Sequence, residues 1–214
     1  YIKRELESKN FLPKIIKIKK DIDNIFLKKI NNKYFYTDGN KENLKFVLEV
    51  AKILKLNKYL LIKTLKKFKG LKYRQERIFQ SRKLTIINDS KATTFSSSLS
   101  LLKSLTNIYW IVGGQAKKGD KLLLSKKNCK NIKAYVFGNN KNFFVSKLKK
   151  LMKYEYFLDL KSLVKKLSLE IKVDNNTIHK IILFSPSAAS FDNFKNFEER
   201  GKYFNQLIKR YMNV

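Results

Sequence analysis

Leu84-Thr85-Ile86-Ile87-Asn88-Asp89-Ser90-Lys91-Ala92-Thr93-Thr94 passes from an apolar run of strand length into a polar, hydroxyl-rich turn. Helical periodicity follows over residues 95–105. Two more apolar runs end in similar small-residue turns. Residues 108–112 give way to Gly113-Gly114-Gln115-Ala116-Lys117-Lys118-Gly119-Asp120, and Lys180–Phe184 to Ser185-Pro186-Ser187-Ala188-Ala189-Ser190. Further strands are expected at 133–137 and 155–158, and a hairpin at 77–80 with Leu84–Asn88. Helices are expected at 121–129, 142–152, 160–172 and 192–211. Alternating short apolar strands and helices predict an α/β fold: a Rossmann-like, mostly parallel sheet with helices on both faces, over residues 71–214.

Residues 1–70 read differently. An irregular Lys-rich stretch over 1–30 precedes the aromatic run Tyr34-Phe35-Tyr36. Helices are expected at 43–54 and 56–68, stopped by Gly70. This part is a mainly helical segment of its own, with no Gly/Ser linker between it and the α/β part.

In an open α/β sheet, ligands sit outside the carboxyl ends of the strands. The three turns quoted above would then share one rim. At the start of the 95–105 helix, backbone N–H groups and the helix dipole favour an anion, and Lys91 adds a mobile charge. Capping by Ser90 or Thr93 is the plainer account of those hydroxyls. Gly113-Gly114 permits close backbone approach, and Lys117 and Lys118 would face the same rim. The serines and N–H groups of residues 185–190 lead into another helix and could accept a second anion, with Ser190 as the plain cap. Phe194 and Phe197 read as core. Lone His179 and lone Cys129 read as structural and inert, and no GxxxxGK[ST] phosphate loop occurs.

The chain has 214 residues and a formal net charge of +31. Of 48 basic residues, 42 are Lys and 6 are Arg, whereas Arg is the better bidentate reader of phosphate and guanine. The basic excess occurs in both halves, Asn and Ile are abundant, and only 6 Ala occur. An A+T-rich coding bias accounts for this pattern without a nucleic-acid partner. The single cysteine excludes an intrachain disulfide and a Cys₂ or Cys₄ zinc site. No apolar run approaches the ~20 residues of a membrane span, and none has the form of a signal peptide, so a reducing cytoplasm is expected.

Asn88-Asp89-Ser90-Lys91-Ala92-Thr93, Gly113-Gly114 with Lys117, and Ser185-Pro186 through Ser190 followed by Phe194-Lys195-Asn196-Phe197-Glu198 and Arg200-Gly201 resemble the D-glutamate-adding branch of the Mur ligase family. Leu71-Lys72-Tyr73-Arg74-Gln75-Glu76 resembles the opening of that family's C-terminal domain. Gly39-Asn40 through Asn43 resembles its nucleotide-contacting segment. The resemblance implies an ATP-dependent amide ligase of cytoplasmic peptidoglycan precursor synthesis. Residues 1–70 would be the end of a central ATP-binding domain, and 71–214 the C-terminal domain. It implies Asn43, Arg74, Asp89 and Lys91 toward ATP, with Lys91 catalytic. Thr93, Lys117, Ser190 and the backbone at Phe197 would bind D-glutamate. The co-substrate would be UDP-N-acetylmuramoyl-L-alanine. Mg2+ would be used, with its ligands and the phosphate loop upstream and no metal site in this chain. The chain alone is then expected to be inactive, monomeric, and free of nucleic-acid or membrane partners. Another Mur or folylpolyglutamate-type ligase, a basic nucleic-acid-binding module and a degenerate fragment are the alternatives.

Overall fold

The computed structural model describes residues 21–214, together with Ile16 and Ile18. They form two compact units, one ending at Phe68 and one beginning at Lys69, two residues before the boundary expected from the sequence.

The first unit contains helix α1 (Asn24–Ile30), a 3-10 turn (Lys33–Tyr36), α2 (Asp38–Ile53) and α3 (Lys58–Lys67). Of the irregular stretch expected over 1–30, most of the first twenty residues lie outside the described ones, and α1 corrects the remainder. Its signals are local. The Asp23 carboxylate accepts the Ile25 N–H at 2.9 Å, and Asn31 stops the helix in the left-handed region. Leu27 and Ile30, one turn apart, are buried with Phe35, Leu44 and Leu65. Asn32 closes the end of α3 by donating to the carbonyls of Leu65 and Phe68 at 2.8 and 2.7 Å.

The second unit is a six-stranded sheet. Its strands are β1 (Glu76–Gln80), β2 (Leu84–Asn88), β3 (Ile108–Gly113), β4 (Ile132–Phe137), β5 (Lys153–Phe157) and β6 (Lys180–Phe184). Their spatial order is β1-β2-β6-β3-β4-β5. Only β1 runs antiparallel to its neighbour, as the tight 81–83 connection requires. The other four pairings are parallel. Helices α4 (Phe95–Ser104), α5 (Lys126–Cys129), α6 (Lys141–Leu148), α7 (Leu160–Val173) and α8 (Phe197–Met212) complete the unit.

Both sheet faces are buried, which is why the central strands are apolar without alternation. Ile108, Trp110 and Val112 of β3 and Ile181 and Leu183 of β6 pack with Phe95, Leu101 and Leu102 of α4 and Phe144 and Leu148 of α6. Ile111, Ile182 and Phe184 face the other way, against Leu163 and Leu167 of α7 and Phe204 and Leu207 of α8. Each such side chain contributes roughly 1.5–3 kcal/mol through burial.

Two expected helices begin five residues later than their periodicity suggested. Over 121–129 only α5 forms. Leu122 is half-buried, Leu123 exposed and Leu124 buried, an extended alternation, and Ser125 then caps the short helix. Over 192–211 the helix begins at Phe197, because Asn196 caps it by accepting the Glu199 N–H at 2.8 Å. Residues 190–194 form a turn closed by the Asn193 and Phe194 N–H groups on the Ser190 carbonyl.

Candidate functional site

The chain passes from β2 to β3 across a gap that β6 later fills. The carboxyl ends of β2, β6 and β3 therefore lie side by side, at the switch point where such sheets bind ligands. The three expected loops meet there. The Asp89 N–H donates to the Phe184 carbonyl at 2.7 Å, and the Gly113 N–H to the Pro186 carbonyl at 3.0 Å. Gln115 and Ala189 exchange N–H···O bonds of 2.9 and 3.1 Å in an isolated antiparallel bridge.

Asp89 is the most perturbed carboxylate of the rim. Its oxygens accept from the Ser185 hydroxyl at 2.8 Å and the Gln75 N–H at 3.1 Å. Burial nevertheless pushes its pKa up to about 7, against the lowering effect of those bonds and of the Arg74 charge. The folded state thus holds a proton that the unfolded state releases near pH 4. Stability falls as pH rises from about 4 to 7, and the full penalty applies above 7. Asp89→Asn removes that penalty. Chemical denaturation is expected to show a variant more stable at pH 8, by an amount on the order of 3–4 kcal/mol, and no such gain at pH 4. An equal pH dependence in both proteins would refute the assignment.

Beneath Asp89 lies a buried chain of hydroxyls. Ser98 of α4 is 2.6 Å from both Ser185 and Ser187, and the Trp110 indole N–H donates to the Ser185 carbonyl at 2.8 Å. This corrects the expectation that the serines of residues 185–190 face an anion. Ser185 and Ser187 point into the protein and fix the loop. Among the described residues, the Ser190 hydroxyl has no hydrogen-bond partner.

The α4 N-terminus also differs from expectation. The Phe95 N–H donates to the Asp120 carboxylate at 2.7 Å, and the Ser97 N–H to the Thr94 hydroxyl at 3.4 Å. Thr94, not Ser90 or Thr93, is the cap, in a reciprocal capping box with Ser97. Ser90 turns inward and donates to the Phe197 carbonyl at 2.8 Å. Thr93 and Lys117 are exposed on the rim loops, and no side-chain bond joins either to another described residue. The Lys91 ammonium lies 3.8 Å from the centre of the Phe197 ring. Phe197 and Phe194, read as core from the sequence, are not: Phe197 is half-buried beside the rim and Phe194 stands in the turn before α8. Arg74 is exposed in the segment before β1, and Asn43 is exposed on α2 of the other unit.

Four functional candidates escaped sequence reasoning, because their roles are long-range. Asn88 donates to the Gly201 carbonyl at 2.9 Å and Asn205 Oδ1 at 2.7 Å, tying β2 to α8. Asp120 and Ser98 brace the loops as described. Arg200 is completely buried and donates only to neutral acceptors. These are the Ser90 hydroxyl at 3.1 Å, the Ser90 carbonyl at 2.7 Å and the Ala189 carbonyl at 3.2 Å. Burial lowers its guanidinium to about 10, opposed by the Asp192 carboxylate. A signal existed: Arg is scarce in this Lys-dominated chain, so an Arg inside a loop-to-helix motif stands against the composition.

His179 joins the Arg82 carbonyl through Nδ1 and the Thr85 hydroxyl through Nε2, both at 3.0 Å, at the amino end of β6. The carbonyl can only accept, so Nδ1 donates to it. Cys129 is buried, and burial pushes its thiol pKa up. Among the described residues no cluster of His, Cys, Asp and Glu could hold a metal ion, and no helix is long and apolar enough to cross a membrane.

No family model matches the chain. It is 35% identical over 198 residues to the UDP-N-acetylmuramoylalanine–D-glutamate ligase of Wolbachia sp. subsp. Brugia malayi, covering 89% of this chain and 39% of that protein. The Rickettsia bellii protein of the same name is 35% identical over 202 residues, 92% of this chain and 45% of its own. Among solved structures, the UDP-N-acetylmuramate-alanine ligase of Thermotoga maritima shares the fold with a TM-score of 0.51 at 15% identity, over 81% of this chain and 38% of that one. A pseudomurein peptide ligase type C from Methanothermus fervidus gives 0.50 at 16%, over 81% and 36%. The chain spans about two fifths of the length of the curated relatives it matches. Over about nine-tenths of its length the chain is thus similar in sequence to curated UDP-N-acetylmuramoylalanine–D-glutamate ligases, and it shares its fold with solved ligases of related name.

Proposed function

We propose that this chain carries the amino-acid-binding surface, and one side of the nucleotide-binding surface, of an ATP-dependent ligase that joins D-glutamate to UDP-N-acetylmuramoyl-L-alanine in the cytoplasm. The observation that carries this reading is the convergence of three loops at one rim. Those loops leave the side-chain polar groups of Thr93, Lys117 and Ser190 without a partner among the described residues, with the Lys91 ammonium held by an aromatic face. D-Glutamate presents two carboxylates, which such a set of donors suits.

In this reading the γ-phosphoryl group passes to the carboxylate of the UDP-linked substrate, and ADP leaves. The amine of D-glutamate attacks the acyl carbon and loses a proton, and phosphate departs as the amide forms. Lys91 stabilises charge on the transferring group as a preorganised cation. Asp89, Arg74 and Asn43 belong to the nucleotide side. Thr93, Lys117, Ser190 and the Phe197 backbone hold the carboxylates. Residues 1–70 are the end of the central ATP-binding domain and 71–214 the C-terminal domain. The phosphate-binding loop and the Mg2+ ligands are assigned to the part of the relatives' length that this chain does not span.

The test uses the full-length ligase and follows phosphate release from ATP with UDP-N-acetylmuramoyl-L-alanine present. D-Glutamate, L-glutamate and L-lysine are supplied in turn. Release only with D-glutamate is expected. Lys117→Ala should raise the KM for D-glutamate about 10–100-fold with little change in kcat, the loss of one charge-assisted bond made in both ground and transition states. Release with another amino acid would keep the chemistry and move the substrate assignment to a sister ligase. No amino-acid-dependent release would overturn the reading.

A further inference from the structure

Arg200 is a buried cation held by uncharged acceptors. Its relative exposure is 0%, and all three of its hydrogen bonds end on hydroxyl or carbonyl oxygens. A buried charge without an ion-pair partner is costly, and most proteins avoid it. Among the described residues no carboxylate lies within ion-pair distance of its guanidinium, so the charge sits beneath the rim with neutral oxygens as its hydrogen-bond partners.

Its position is equally specific. The side chain rises from the first turns of α8, whose N-terminal cap is Asn196. One edge of the guanidinium takes both the hydroxyl and the carbonyl of Ser90, the residue before Lys91. Nη1 takes the carbonyl of Ala189, the residue before Ser190. A Cβ built on Gly114 would lie 3.0 Å from that same Nη1, so the third loop is packed against it. One planar, five-donor group thus fixes the spacing of all three loops. Lysine, with one compact ammonium, has no such fork.

We propose that Arg200 is a positioning residue of the ligase. It holds the loops carrying Lys91 and Ser190 at the separation a dicarboxylate amino acid needs, and its uncompensated charge is answered by that ligand when it binds. The ligand assignment rests on the proposed function above; the positioning role does not.

The chain supplies its own reporter. Trp110 is its single tryptophan, and its indole N–H bonds the Ser185 carbonyl at the start of the 185–190 loop. In 15N-labelled chain of 214 residues, the Trp110 indole resonance is compared between wild type, Arg200→Lys and Arg200→Gln. Both variants are expected to shift the resonance and to speed exchange of that proton at least tenfold, with the circular dichroism of the sheet retained. In the full-length ligase, Arg200→Lys should raise the KM for D-glutamate about tenfold and Arg200→Gln about a hundredfold, each with a smaller fall in kcat. Should Arg200→Gln fail to fold, Arg200→Lys alone carries both readouts. An unmoved indole resonance with unchanged KM overturns the proposal. Loss of kcat and KM in equal measure, with the indole in place, overturns it in favour of a catalytic role. A moved indole in an enzyme indifferent to D-glutamate would retain the positioning and sink the substrate reading.

Discussion

On the proposed function, replacing Lys91 by Ala is expected to lower kcat of the full-length protein about a thousandfold while costing the folded unit less than ~1 kcal/mol. The two effects separate because the structural ties of this residue are backbone ties. Its N–H donates to the Tyr73 carbonyl at 3.0 Å, and any residue but proline retains that bond. The neighbouring Ala92 N–H closes the turn on the Asp89 carbonyl at 2.9 Å. The side chain is tied to the fold through its ammonium, 3.8 Å from the Phe197 ring centre. A partly exposed contact of this kind contributes roughly 0.5–1 kcal/mol, so the melting temperature should fall by no more than about 4 °C. Loss of a preorganised cation next to a transferring phosphoryl group costs far more, about 10²–10³ in rate. The Phe197 ring keeps the ammonium at the rim without neutralising it, which a carboxylate partner would not. Lys91→Met keeps the packing on Phe197 and removes the charge, so it should match the alanine variant in kcat and the wild type in stability. Steady-state kinetics beside calorimetry read both quantities. A Met variant with wild-type kcat would remove Lys91 from the chemistry.

The rim was legible in the sequence because its signals are local. A strand ending in Asn88-Asp89-Ser90-Lys91, a glycine pair after a second strand and a proline-serine turn after a third each announce themselves within ten residues. The sheet followed from the alternation, and Lys180–Phe184 and Leu84–Asn88 have the bounds that the apolar runs set. What the sequence hid is which hydroxyl faces where. Ser185, Ser187 and Ser190 are alike on the page, yet two are consumed by Ser98, 87 and 89 positions away. Asp120 reaches the α4 N-terminus from a loop 25 residues on, so the anion site expected there is filled by the protein's own carboxylate. Arg200 reaches Ser90 across 110 residues. Periodicity has no access to such pairings; they follow from the crossover that inserts β6 between β2 and β3. The missed α1 is different in kind: its Asp23 cap and Asn31 stop were local and readable.

Gly114→Ala is expected to lower the melting temperature of the α/β unit by about 10 °C, and Gly119→Ala by no more than about 4 °C. Both glycines have positive φ, +126 and +81, so both substitutions carry backbone strain, of about 1 kcal/mol for a left-handed residue. They differ in what the new methyl meets. At Gly119 nothing lies within 4 Å. At Gly114 the methyl would sit 2.6 Å from the Ala189 carbonyl oxygen and 3.3 Å from the Ala188 Cβ, and the nearest of these is backbone. That oxygen cannot swing aside cheaply, because it accepts the Gln115 N–H at 2.9 Å and Arg200 Nη1 at 3.2 Å. Moving it breaks the bridge between the β3 and β6 loops and strands part of a buried guanidinium, a combined cost on the order of 3–4 kcal/mol. At about 2–4 °C per kcal/mol for a unit of this size, that gives the expected drop. The same displacement carries Ser190 away from Thr93 and Lys117. A Gly114→Ala enzyme that still folds should therefore bind D-glutamate more weakly, with Gly119→Ala as its unaffected control. Equal melting temperatures for the two variants would mean that the β3 and β6 loops do not meet at Ala189, and the convergence on which the amino-acid site rests would fall with them.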